Sequence, residues 1–335
     1  LFGVGGGFLM TPFLIFMGIP PAYAVPNEVN NILATSVSGS LTHYFKNTLD
    51  YKMGSMIVVG GIFGTLIGIT TFTYFSEIGK ISLIISLLYM YLLAIVGTLM
   101  IIEGIKEVDE ARKKLRIKKK LHKHNWLQGL PLRMRFPKSK LYESALTPIL
   151  LGLIVGFVAA MMGIGGAFLM VPAMIYIVGM PVKLIPGTSL FVTIFISAIV
   201  TVLHAFNYGS IDLTLVIPLI LGSILGVQFG QKAGQHLDSA HLKTLFAMLL
   251  CSVAIAIAYD SFFREKNIEI SSSQAVKIDL NQFAEFTLNF SNEAPMLYGA
   301  FAIFLAIGLG AVTAGARKII SDLRKKKLED VKVTK

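Results

Sequence analysis

Charge is scarce in this sequence: 15% of its 335 residues are Asp, Glu, Lys or Arg, where soluble domains carry about 25%. The missing charge coincides with apolar runs of roughly twenty residues, the length that spans a bilayer. Cysteine is scarcer still. Cys251 stands alone in an apolar run, so there is no disulfide framework, and a small core residue is its plainest role. No Gly-x-x-x-x-Gly-Lys-[Ser/Thr] phosphate loop occurs, which argues against direct ATP drive within the chain. No His/Cys/Asp set has metal-ligand spacing and no nucleophile stands beside a base. The sequence therefore points to no cofactor, no metal and no intramembrane chemistry.

Acidic residues are also few, 19 against 30 basic ones, for a net charge of +11. The excess is local. Residues 103–140 hold thirteen Lys or Arg against four acids, and residues 317–335 hold eight against three. Short basic segments beside spans mark the cytoplasmic side and attract anionic lipid headgroups. Nucleic acid is not the expected partner, because no stacking aromatics accompany a recognisable fold.

What the sequence has in abundance is apolar length. Spans are expected at Val29–Phe45, Met53–Phe75, Lys80–Ile102, Val182–Phe206, Leu213–Lys232, Ala240–Tyr259 and Met296–Ala316. Two shorter apolar pieces, 6–17 and Ala167–Val178, are too short to cross. The fold class is an all-α polytopic membrane protein. Its parts are a first repeat (1–102), a basic cytoplasmic loop (103–140), a second repeat (141–260), a polar extracytoplasmic loop (261–295), a final extra span (296–316) and a basic cytoplasmic tail (317–335). The loop up to Trp126 fits an interfacial helix or a solvated segment, and 268–290 a hairpin or an interfacial helix.

Gly163-Ile164-Gly165-Gly166-Ala167-Phe168-Leu169-Met170-Val171-Pro172 has a twin in Gly3-Val4-Gly5-Gly6-Gly7-Phe8-Leu9-Met10-Thr11-Pro12, with seven of the ten positions identical. The duplication runs on. Gly18, Pro20 and His43 match Gly179, Pro181 and His204, and Asp50, Gly60, Gly64 and Gly68 match Asp212, Gly222, Gly226 and Gly230. The run Ser144–Met162 precedes the second motif, so a half-helix is expected ahead of the first. With both basic segments inside, four full spans between them make an even count. The broken element 144–179 must then return to its own side, which inverts one copy relative to the other. Inverted repeats with broken helices are the architecture of secondary transporters.

Glycine permits a turn at membrane depth and close approach of a ligand to backbone. The helix resuming at Phe8 or Phe168 offers free N–H groups and a positive dipole end, which suit an anion; close helix packing is the alternative use of the same glycines. A second break follows each motif, at Pro26-Asn27-Glu28-Val29-Asn30-Asn31 and at Pro186-Gly187-Thr188-Ser189, read as helix starts. The candidate substrate-binding set is Gly5, Gly6, Gly7, Phe8, Asn27, Asn30, Asn31, Gly165, Gly166, Ala167, Phe168, Gly187, Thr188 and Ser189. Glu28, His43 and His204 are candidates for proton coupling. For Glu28 the alternative is an exposed loop position, and for the histidines interfacial hydrogen bonding. Asp50 and Asp212 read as N-caps.

The paired Gly-[Ile/Val]-Gly-Gly-[Gly/Ala]-Phe-Leu-Met-x-Pro, each followed by Gly-x-Pro and a polar helix start, resembles the TauE/SafE family of sulfite and organosulfonate exporters. The second half, with Pro186-Gly187-Thr188-Ser189, fits more closely than the first. The resemblance implies gradient-driven transport of a small sulfur-containing or organic anion across the cytoplasmic membrane; export of sulfite, an organosulfonate or another sulfur-containing oxyanion by alternating access is the expected activity, with a homo-oligomer as a candidate assembly. An uptake permease for another organic anion, or a scaffold acting through the basic loop, are the rival readings.

Overall fold

The computed structural model describes residues 7–17, 19–112, 132–181, 183–208, 211–234, 247–248, 250–259, 287, 289–290 and 293–333. Its helices are α1 (Gly7–Phe16), α2 (Pro21–Phe45), α3 (Tyr51–Glu77), α4 (Ile81–Arg112), α5 (Leu146–Met162), α6 (Ala167–Tyr176), α7 (Ile185–Tyr208), α8 (Leu213–Gly234), α9 (Leu250–Tyr259) and α10 (Pro295–Val333). A short antiparallel hairpin, β1 (Arg133–Phe136) with β2 (Leu141–Ser144), sets Arg133 opposite Ser144 and Phe136 opposite Leu141.

Among the described residues, four helices are long and apolar enough to cross a bilayer: Tyr51–Glu77, Ile81–Leu99, Ile185–Tyr208 and Pro295–Gly315. Their outer faces are apolar and exposed, with Phe63, Ile67, Leu99, Phe304 and Val312 each at least half accessible. A soluble domain rarely exposes such a surface, and lipid covers it here. α6, at ten residues, reaches only about 15 Å and does not cross. The chain is an all-α polytopic membrane protein in which short half-helices are set among long spans.

Three boundaries differ from the sequence reading. α2 starts at Pro21, with Pro20 as its N-cap and Pro26 inside the helix, not at Pro26. A proline at the first turn has no helical acceptor to lose, and Pro21 takes that place first. α4 continues past Ile102 to Arg112, through a segment rich in good helix formers. α10 likewise runs on from the span through the basic tail. The expected span Ala240–Tyr259 is described only from residue 247 onward, without 249, and the 268–290 segment lies almost wholly outside the described residues.

Asp50 caps α3 by accepting the Met53 amide, 3.1 Å, and Asp212 accepts the Thr214 amide, 2.8 Å. Both match the expected caps. The hairpin is tied to the same place. Ser139 donates through its amide and hydroxyl to the Asp50 carboxylate, Lys138 donates to Asn47 and to the Leu49 carbonyl, and Lys52 donates to the Arg135 carbonyl. The end of the basic segment is thereby fastened to the α2–α3 loop.

The tightest helix pair is α3 with α5. A Cβ built on Gly60 or Gly64 would lie 1.9 or 2.0 Å from the carbonyl oxygens of Ile149 and Leu153. From the other side, a Cβ on Gly152 or Gly156 would lie 2.0 or 2.2 Å from those of Ile57 and Gly61. Small residues on both sides bring the backbones into contact, the usual means of helix association in lipid.

α2 and α7, equivalent in the two copies, pack against each other at the centre. Gly187 meets His43 and Gly39 meets Leu190, so the two helices run antiparallel. Their starts are joined crosswise to the opposite copy. The Asp212 amide donates to Asn27 Oδ1, 2.7 Å, and the Asp50 amide donates to Thr188 Oγ1, 3.0 Å. Asn27 matches Thr188 and Asp212 matches Asp50 in the duplication, so the two bonds are the same bond made twice.

Candidate functional site

Three glycines with left-handed backbone build the break between α5 and α6. Gly163 ends α5 at φ +73°, Gly165 follows at +65°, and Gly166 caps α6 at +79°. Other residues rarely adopt this region, and here there is no room for them either. A Cβ on Gly163 would lie 2.8 Å from the Val25 carbonyl oxygen, and one on Gly166 would lie 2.2 Å from Val155 Cγ1. A Cβ on Gly165 would lie 2.5 Å from Ile32 Cγ2 and 3.2 Å from Thr193 Cγ2. The break is therefore wedged against α2 through Val25 and Ile32, and against α7 through Thr193. Ile164, Ala167 and Phe168 are buried around it. The first-turn amides of α6 have no helical acceptor, and their dipole end is positive.

Helical periodicity selects what α2 and α7 present to the break. Glu28 and Ser36 share a face of α2 with Val25 and Ile32. On α7, Ser189, Thr193, Ser197 and Thr201 recur every fourth residue, followed by His204, and all five are buried. Gly165 meets Ile32 of α2 and Thr193 of α7 together, and Ser197 and Thr201 follow Thr193 one and two turns further along the same face of α7. Ser189 and Thr193 donate back to the carbonyls of Pro186 and Ser189. Ser36 Oγ, Ser197 Oγ, Thr201 Oγ1 and His204 Nδ1 are buried with no hydrogen-bond partner among the described residues. α1, α2, α5, α6 and α7 contain no Lys or Arg. The site thus offers neutral hydroxyls and a positive helix end, with no Lys or Arg on these five helices.

The sequence-predicted residues divide among several places. Gly165, Gly166, Ala167 and Phe168 form the break as expected. Gly5 and Gly6 lie outside the described residues, as does the side chain of Phe8, which follows Gly7 at the start of α1. Asn27 and Thr188 make the crossed helix-start bonds, and Asn27 Nδ2 also donates to the Tyr23 carbonyl, 2.7 Å. Gly187 lets α7 approach Thr48 and His43. Asn30 is buried with both amide atoms unpartnered, on the side where Leu33, Ala34 and Val37 meet α8 and α10. Asn31 donates to Glu28.

Glu28 is not on an exposed loop, since it is fully buried inside α2. His43 pairs with Thr48 Oγ1 at 2.8 Å. His204 reaches the Ala160 carbonyl at 3.1 Å and packs edge-on against Phe72. Sequence reasoning missed Ser36, Ser197 and Thr201, and also Tyr89 of α4, whose hydroxyl donates to the Met162 carbonyl at 2.5 Å, just before the break. The four-residue spacing of hydroxyls in an otherwise apolar α7 was the available signal.

Comparison with known proteins finds membrane transporters. The chain is 29% identical over 251 residues to a probable membrane transporter protein, YjnA, of Bacillus subtilis, covering 75% of this chain and 90% of that one. It is 23% identical over 271 residues to another from that organism, YunE, covering 78% and 93%. A probable membrane transporter of Methanocaldococcus jannaschii is 26% identical over 268 residues, covering 75% and 86%. No solved structure matches. The model of the sulfite exporter TauE/SafE family matches residues 1–257, a stretch that includes both copies of the glycine motif, and the chain belongs to that family of membrane transporters.

Proposed function

We propose that the protein is a secondary transporter that moves a small oxyanion, sulfite or an organosulfonate, across the cytoplasmic membrane by alternating access, with export as its working direction. The anion sits at the Gly163–Phe168 break, held by the first-turn amides of α6 and by Ser36, Ser197 and Thr201. The observation that carries this reading is the set of buried hydroxyls that have no partner among the described residues, beside a glycine break. A buried polar group with no partner is costly, and a transient ligand relieves that cost. Neutral donors bind an anion firmly enough for recognition yet still release it. The antiparallel α2 and α7 and their crossed bonds support two inverted halves, with the basic segments on the cytoplasmic side.

The test is a thermal-shift panel on the purified chain with sulfite, sulfate, thiosulfate, methanesulfonate, short carboxylates and chloride. A ligand at one hundred times its Kd stabilises the folded state by about 2.7 kcal/mol. Stabilisation by one oxyanion class, abolished by Ser197→Ala with Thr201→Ala, is expected. If no anion stabilises the protein and none exchanges across proteoliposomes, the reading fails.

A further inference from the structure

Glu28 is the one carboxylate on the α2 face that meets the break, and its surroundings are wrong for a permanent charge. It is fully buried. Among the described residues its side chain has one partner, the Asn31 amide nitrogen, which stands 3.2 Å from each carboxylate oxygen. One long, forked contact does not replace the hydration of an ionised carboxylate, and an uncompensated buried charge is strongly unfavourable.

The neighbours offer little help. Tyr89 of α4 is the titratable group that faces Glu28, and it also shares a hydrogen bond with Thr11 of α1. Its own proton is already given to the Met162 carbonyl. α1 and α5 contain no titratable side chain, and α6 contains only Tyr176, which is exposed. α7 contributes His204 and Tyr208, engaged with Ala160 and Thr73. The nearest charged side chain of α8 is the Asp212 that precedes it, and the span portion of α10 has no charged residue, only Tyr298 turned to the Leu213 amide. Among the described residues, no Lys or Arg on an element packed against α2 faces Glu28.

From this geometry we infer that Glu28 is the binding site for a proton that is carried with the anion, one for one and in the same direction. The inference rests on the anion reading of the break. When Glu28 is ionised, its charge repels an anion one turn away. When it is protonated, the repulsion is gone and the carboxyl gains an O–H donor on the face where the anion sits. Each ligand therefore favours the other, as reciprocal coupling requires. A high internal concentration of the anion then drives both species outward.

The experiment uses the full chain in proteoliposomes and methanesulfonate or sulfate, whose own charges are fixed between pH 5 and 8. Counterflow at equal pH tests the transporter reading alone, and its absence with every anion sinks both ideas. Given counterflow, an imposed pH gradient, acid outside, should concentrate the anion at least tenfold, with an interior pH dye reporting one proton per anion. Anion affinity should rise by up to tenfold per unit fall in pH above the titration point. Glu28→Gln should lose the pH response of anion affinity and the gradient-driven accumulation, so that anion movement no longer carries a proton. Counterflow indifferent to the pH gradient, or accumulation driven by sodium at equal pH, overturns the proton assignment. The wild-type proton count decides the matter even if the variant fails to fold.

Discussion

Asn27 accepts the Asp212 amide through its side-chain oxygen, and Thr188 accepts the Asp50 amide through its hydroxyl. Each supports a helix start belonging to the other half of the chain. Thr188→Val keeps the shape but leaves the Asp50 amide buried without an acceptor, which costs about 1–3 kcal/mol. A lowered melting temperature with little change in anion affinity is expected, measured by thermal unfolding with and without ligand. Loss of affinity at unchanged stability would instead make Thr188 a direct ligand. The sequence made Asn27 and Thr188 conspicuous because polar residues near a proline in apolar sequence stand out, but type alone does not say which partner a side chain finds. Ser197 and Thr201 were overlooked for the opposite reason. A hydroxyl in an apolar helix ordinarily bonds back to the carbonyl four residues earlier, as Thr193 does, and nothing local reveals that these two do not.

At the scale of elements, the α3–α5 pair separates two uses of glycine that look alike in sequence. Gly60 and Gly64 touch α5 backbone, whereas their duplicates on α8, Gly222 and Gly226, have nothing within 4 Å among the described residues. Gly64→Ala should therefore sharply reduce the yield of folded protein, because backbone cannot yield 1 Å or more to a methyl group. Gly226→Ala should be tolerated in this chain and could add up to about 1 kcal/mol from helix propensity. Size-exclusion yield and melting temperature of the two variants, side by side, check this. Duplication was legible in the spacing of these glycines. Their unequal packing was not, because packing depends on which helix lies alongside and no residue of α8 encodes that.

For the whole molecule, hydropathy was enough to place the chain in a membrane, since no other environment suits so many exposed apolar side chains. Less legible was the order within the basic segment. Charge in Arg133–Phe136 and Leu141–Ser144 hides a strand pattern, and the hairpin is stabilised by distant partners at Asp50, Asn47 and Leu49. Removing residues 113–131 should leave anion flux within twofold of the parent, whereas extending the deletion through Ser139 should lower the melting temperature by several degrees. Flux and unfolding measured on both deletions distinguish a spacer from a strut. If the shorter deletion alone abolishes flux, the basic segment does more than connect.

The crossed bonds at Asp50 and Asp212 have a consequence for covalent continuity. Neither half can finish its own helix starts, because each lends the other the acceptor that completes them. What unites the halves is this exchange, together with the backbone contact of α3 on α5 and the antiparallel seat of α2 on α7, more than the peptide chain between Arg112 and Leu132. Two polypeptides severed there and made in the same cell hold everything needed to find one another and reassemble, and either one made alone lacks its counterpart's contribution.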